Sequence, residues 1–126
     1  MKNTVLTNLG LAFLRIVPTT MMLLAHGLPK FQKLIAGDFT FADPLKIGET
    51  PSLFLTVIGE FIAPILIIVG YKTKLSVVPA AITMVVASFV VHGADPYAKK
   101  ELALLYLVFF IAIALLGPGK YSLDKK

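Results

Sequence analysis

The chain is 126 residues long, 57% hydrophobic, with a mean hydropathy of +0.86 and a net charge of +5. It is too apolar for a soluble domain of this length and fits a small integral membrane protein. It has no cysteine, which excludes thiol redox chemistry, thiolate-held iron–sulfur clusters and disulfides. Its lysines stand at the ends of apolar runs rather than along one face, so the positive charge is not a nucleic-acid footprint.

The first apolar run, Leu9–Ala25, predicts a span over about 9–28. Lys2 precedes it, as in a secretory signal, but Arg15 splits the apolar core and no small-x-small cleavage site follows His26. The expectation is therefore a retained helix that bends into an amphipathic segment, Lys30–Ala36. An outer loop of about 30–52 carries the turn signals Gly37, Asp43-Pro44, Gly48 and Pro51 and is large enough to form a lid. A second span covers about 53–69. The tight loop Tyr71–Lys74 makes it the antiparallel neighbour of a third, about 75–92. A short connection from His92 to Lys99 leads to a fourth span, about 100–116, stopped by Gly117-Pro118-Gly119. The expected fold is all-α, a single four-helix transmembrane bundle occupying residues 1–126. With the N-terminus inside, six lysines (Lys2, Lys72, Lys74, Lys120, Lys125, Lys126) fall on the inner side. Five (Lys30, Lys33, Lys46, Lys99, Lys100) fall outside. The positive-inside rule then favours N-in, C-in.

Two charges interrupt these spans: Arg15 in the first and Glu60 in the second. On insertion scales an Arg at a helix centre costs about 2.5–3.5 kcal/mol, whereas each Leu, Ile, Phe or Val returns only about 0.3–0.6. An ionisable group kept at that cost needs a partner and is by default a functional or assembly site. At 1.5 Å per residue, Glu60 lies roughly 12 Å and Arg15 roughly 18 Å from the outer boundary, a gap that a long Arg side chain can climb. The expectation is an Arg15–Glu60 pair, either a lock on helix register or a site that also binds a ligand or moves protons. Pro18 and Pro64 cannot donate to the carbonyls of Leu14 and Glu60, beside these charges.

The remaining polar residues align. Asn8, Arg15, Thr19, Met22 and His26 share one helical face, as do Ser52, Thr56 and Glu60, and Ser88 and His92. Glu101 stands at the outer entrance of the fourth span. His26, His92 and Glu101 thus gather near the outer mouth as interfacial residues, ligand hydrogen-bonders, or metal or haem ligands. No close metal-binding motif accompanies them, and no haem, flavin or iron–sulfur motif is visible.

The chain resembles the DoxX family of small four-helix membrane proteins. The matching pieces are Arg15, His26-Gly27 with Lys30, Asp43-Pro44 with Gly48, Glu60, His92, Lys100-Glu101-Leu102-Ala103, and the tail from Gly117 to Asp124. The resemblance implies a multi-pass protein of a bacterial inner membrane, associated with a quinone-linked oxidoreductase or other membrane partners, or with itself. In that setting Glu60 and Arg15 are the candidate catalytic pair. His26, His92, Glu101, Lys30 and Lys100 are the candidate ligand contacts, a quinone is the candidate cofactor, and no metal is expected. A non-catalytic assembly scaffold and a proton or small-solute conduit are the competing expectations.

Overall fold

The structure is a computed structural model describing residues 4–124; Lys2, Lys125 and Lys126 of the charge count lie outside the described residues. Among the described residues there are four helices and no strand: α1 (Thr4–Ile35), α2 (Glu49–Val69), α3 (Thr73–Val91) and α4 (Tyr97–Leu116). The first three are long and apolar enough to cross a membrane. Helix α4 has the length, but Lys99, Lys100 and Glu101 occupy its first turns and leave the apolar run 102–116, about 22 Å at 1.5 Å per residue. At 32 residues, α1 runs about 48 Å, well beyond a hydrocarbon core of about 30 Å. Its last segment, Leu28–Ile35, is amphipathic and has no buried residue, as the sequence suggests for an outer segment.

The bundle has two distinct ends. At the tail end lie the α2–α3 turn, the start of α1 and the C-terminal residues Gly117–Asp124. At the loop end lie the 36–48 loop and the α3–α4 turn. The apolar core runs between them, built from Met22 of α1, Ala63 and Ile67 of α2, Val77, Ala80 and Met84 of α3, and Tyr106, Phe110 and Ile113 of α4. Most outward side chains are apolar, among them Phe13, Met21, Leu75, Ile82, Phe89 and Val108, the pattern of helices facing lipid rather than water.

Each of the first three helices widens into one π-turn, at Leu23–Gly27, Ile58–Ile62 and Ala87–Val91. The N–H groups of Leu28, Ala63 and His92 donate five residues back, to Leu23, Ile58 and Ala87. The first two lie just ahead of Pro29 and Pro64, whose rings crowd the preceding turn and whose nitrogens donate nothing. Pro18, by contrast, sits inside α1 without interrupting it.

Glycines in the widened turns let neighbouring helices approach closely. A methyl added at Gly27 would lie 1.9 Å from the backbone oxygen of Glu60, and one at Gly59 would lie 1.9 Å from Oγ1 of Thr83. Small residues at such crossings are how membrane helices bring backbones into contact. Gly27→Ala forces α1 and α2 apart at the level of Glu60 and is expected to destabilise the bundle by about 1–3 kcal/mol. Gly10→Ala, where an added methyl meets nothing within 4 Å, should cost nothing and raise stability by up to about 0.5–1 kcal/mol, alanine being the better helix former. Thermal unfolding of both variants in one detergent checks the contrast.

Candidate functional site

Arg15 and Glu60 are both buried, at 1% and 5% exposure, but they do not pair. The expected ion pair is corrected by the direction in which each side chain leaves its helix. Side chains tilt toward the N-terminus of their helix. Helix α1 starts at the tail end and α2 at the loop end, so the two side chains diverge.

Arg15 points to the tail end. Its Nη1 donates to the carbonyl of Pro118 and its Nη2 to that of Tyr121 at 2.7 Å, with the Ile68 carbonyl at 3.4 Å. Coulombic attraction reaches it from Asp124. Gly70 makes room for this. It adopts a left-handed φ of +74°, and a methyl there would lie 2.3 Å from Cβ of Ser122 and 3.4 Å from the guanidinium carbon. Gly117, Pro118 and Gly119 are themselves buried. The tail closes the ends of two further helices. The Leu123 and Asp124 N–H groups donate to the Val69 and Gly70 carbonyls at 3.1 and 2.8 Å, and the Asp124 carboxylate accepts from the N–H groups of Lys72 and Thr73 and the Thr73 hydroxyl at 2.8–2.9 Å. These are the orphan carbonyls of α2 and orphan N–H groups of α3, and a carboxylate at the start of α3 also suits its dipole. The Lys120 N–H donates to Oδ1 of Asn8 at 2.9 Å, tying the tail to α1.

Glu60 points to the loop end, where its partner is the Lys30 ammonium. The pair lies on the wall of a cavity of about 390 Å³ to which all four helices and the loop contribute. Helix α1 supplies Met22, His26 and Lys30, α2 supplies Thr56 and Glu60, and Tyr106 comes from α4. The walls are otherwise largely apolar, and Phe41, Ala42 and Pro44 of the loop cover one side, where a lid was expected. The ring of His26 meets that of Tyr106 edge-on, centroids 6.0 Å apart. Nδ1 of His92 shares a 2.9 Å hydrogen bond with Asp95. This bond is the main reason the Asp95 carboxyl sits below its usual range, and with Asp95 ionised it leaves Nε2 of His92 as the ring atom available to another group.

The loop is braced by its own carboxylates. Asp43 accepts from the N–H groups of Ile47 and Gly48 and the Ser52 hydroxyl at 2.7–2.9 Å. Partial burial works to raise its pKa, but these hydrogen bonds outweigh it and the carboxyl ends below its usual range. Asp38, bonded to Lys33 and Thr40, is lowered to about 2. Carboxyls depressed in the folded state stabilise it above their unfolded pKa of about 3.9 and lose that contribution as pH falls through the folded value. The loop bracing is therefore intact near neutrality and gives way in acid.

Of the residues singled out from sequence, His26, Lys30, Glu60 and His92 thus meet around one cavity. Arg15, Lys100 and Glu101 do not: Arg15 serves the tail, Lys100 donates to the Gly93 carbonyl at 3.2 Å, and Glu101 is exposed. The sequence reading did not single out Tyr106, Thr83 or Lys99 as site residues. Among the described residues no three His, Cys, Asp or Glu side chains gather as a metal site would require.

The DoxX family model matches residues 10–93, two-thirds of the chain. The chain belongs to the DoxX family. The match covers α1 to α3, with Arg15, His26, Lys30, Glu60 and His92, and leaves α4, Tyr106 and the tail outside. An uncharacterised protein of Haemophilus influenzae is 33% identical over 127 residues, covering 92% of this chain and 89% of its own length. No solved structure matches the chain significantly.

The pairing carries a direct check. In double-mutant cycles, Lys30→Gln and Glu60→Gln should be non-additive for stability. Arg15→Gln and Glu60→Gln should add within about 0.5 kcal/mol, as separate sites do. Arg15→Gln alone, losing charge-assisted bonds worth about 1.5–3 kcal/mol each, should release the tail to proteolysis at Lys120.

Proposed function

We propose that this DoxX-family protein is a membrane subunit whose loop-end cavity binds a small organic ligand of the quinone class, in association with a redox complex of a bacterial inner membrane. The reading places a single four-helix domain with both termini inside, so that the cavity faces outward; Lys72, Lys74 and Lys120 at the tail end favour that orientation.

One observation carries it. The cavity is a concave, mainly apolar site within the usual size range for small ligands, with a few convergent polar groups drawn from four helices. A quinone needs an apolar slot for its ring and hydrogen-bonding groups for its two oxygens. His26 and Tyr106 can donate to a quinone oxygen, Nε2 of His92, with Nδ1–H held by Asp95, can accept from the hydroxyl of the reduced form, and Met22, Met84 and Ala103 line the apolar slot. Reducing a quinone to a quinol consumes two electrons and two protons. The chain carries no redox group motif of its own, so the electrons are assigned to a partner protein. Glu60 is assigned to proton exchange with the ligand. Lys30, in the place first expected for Arg15, holds Glu60 and offsets negative charge developing on the ligand oxygen. The scaffold alternative has its own support in Arg15, a buried charge that binds the tail and the end of α2 rather than the cavity. The conduit is disfavoured, because the buried Gly117–Gly119 segment lies across the other end.

The test has two parts. Small molecules extracted from the purified protein and identified by mass spectrometry should include a quinone. Titration with a short-chain benzoquinone should saturate, and His26→Ala and Tyr106→Phe should each weaken it about 3- to 10-fold, the loss of one hydrogen bond of about 0.5–1.5 kcal/mol, while His92→Ala should weaken binding of the corresponding quinol by a similar factor. No co-purifying quinone and no saturable binding by the parent protein would make the scaffold reading the better one.

A further inference from the structure

The cavity reaches the surface where the end of α3 meets the beginning of α4. Two of its lining residues there, Val91 and Leu102, are 47% and 48% exposed, and Lys99 and Ala42 are exposed beside them. A residue that both lines a cavity and faces outward marks its mouth. Along these stretches the other large apolar residues that face outward are Phe89 and Val90 on α3 and Leu105 on α4, which in a spanning bundle meet acyl chains, while the exposed Glu101 stands with Lys99 in the first turns of α4. Leu102 stands one turn inside Lys99. The mouth therefore lies at the edge of the hydrocarbon layer, with apolar residues on its membrane side and an ammonium on its headgroup side. Such a rim admits molecules that already reside at that depth.

From this rim we infer that the cavity is loaded sideways, from the bilayer, and that its ligand is an amphiphile. The polar head sits among His26, Tyr106 and the Lys30–Glu60 pair, and the apolar chain leaves between Val91 and Leu102 into the lipid. The inference rests on the proposed ligand site, but it concerns the route and the chemical class rather than the redox chemistry. It also assigns Lys99 a role as the cation that meets an oxygen or phosphate at the head of the incoming molecule. The loop, braced by Asp38 and Asp43, closes the aqueous side.

The absence of cysteine makes the route measurable without any quinone. Ala87, which lines the cavity, is changed to cysteine (Ala87→Cys) in protein reconstituted into nanodiscs, where both faces are open to reagent. A decyl methanethiosulfonate dissolved in the bilayer competes with a charged sulfonatoethyl methanethiosulfonate in the water. Val108→Cys, on the lipid-facing side of α4 (60% exposed), and Lys46→Cys, in the exposed loop, give the reference rates. The membrane-borne reagent should modify the cavity thiol at least about tenfold faster than the charged one after normalisation. Adding Leu102→Trp, which fills the gap between the helices, should abolish that preference. Should Ala87→Cys fail to fold, Ala103→Cys replaces it on the opposite wall. Equal labelling by the two reagents, or a preference that survives Leu102→Trp, would overturn lateral entry. If lateral entry holds while no quinone binds, the route stands and the ligand class of the preceding reading is what fails.

Discussion

A buried charge in a membrane bundle must find its counter-groups within reach, and the direction of the helix decides which are within reach. Arg15 and Glu60 lie on antiparallel helices. Because each side chain leans toward the start of its own helix, one is aimed at the tail end and the other at the loop end. This divergence separates a structural use of charge from a candidate chemical one.

At the tail end the guanidinium, with its several donors in a fixed fork, gathers the backbone carbonyls of Pro118 and Tyr121, with that of Ile68 at longer range. No apolar residue could hold a segment rich in glycine and proline in that position. Once held, the tail places Asp124 where it caps α3, while its own N–H groups satisfy the last carbonyls of α2. One buried cation thereby supports the closure of two helix ends. At the loop end, the widened turn at Ile58–Ile62 and the glycine contact at Gly27 bring Glu60 and α1 together. Lys30, one turn beyond His26, then reaches the carboxylate. The cavity lies beside the widened turns, and two of its polar groups, His26 and Glu60, come from them.

Much of this was legible in the sequence. The apolar runs located the four helices, and the Tyr71–Lys74 signal located the tight turn. The spacing of Thr56 and Glu60, and the position of His26, put polar residues on inward faces. The helix ends were less legible: α1 runs on through Pro29 to Ile35 because a π-turn accommodates the proline, and no periodicity announces such a turn. The Arg15–Glu60 pairing failed for a definite reason. Similar depth along the membrane makes the pair plausible, but the side chains leave their helices in opposite directions, and the backbone carbonyls of the tail carry no sequence signal as acceptors. Lys30 is a candidate ligand contact from sequence, yet its partner appears only once the helix is seen to continue through Pro29. Tyr106 carries no such signal, because a tyrosine in a spanning helix suits the membrane interface, whereas it is buried in the core and lines the cavity.

The separation of the two charges is the claim on which the site depends, since it frees Glu60 from Arg15 and gives it to Lys30 and the cavity. Solid-state NMR on selectively labelled protein in bilayers measures it directly, through dipolar coupling between the side-chain carboxyl carbon of Glu60 and side-chain nitrogens. The account predicts strong coupling to Nζ of Lys30 and none to the guanidinium of Arg15, whose nitrogens should instead couple to the carbonyl carbons of Pro118 and Tyr121. Strong coupling between Glu60 and the Arg15 guanidinium would contradict it.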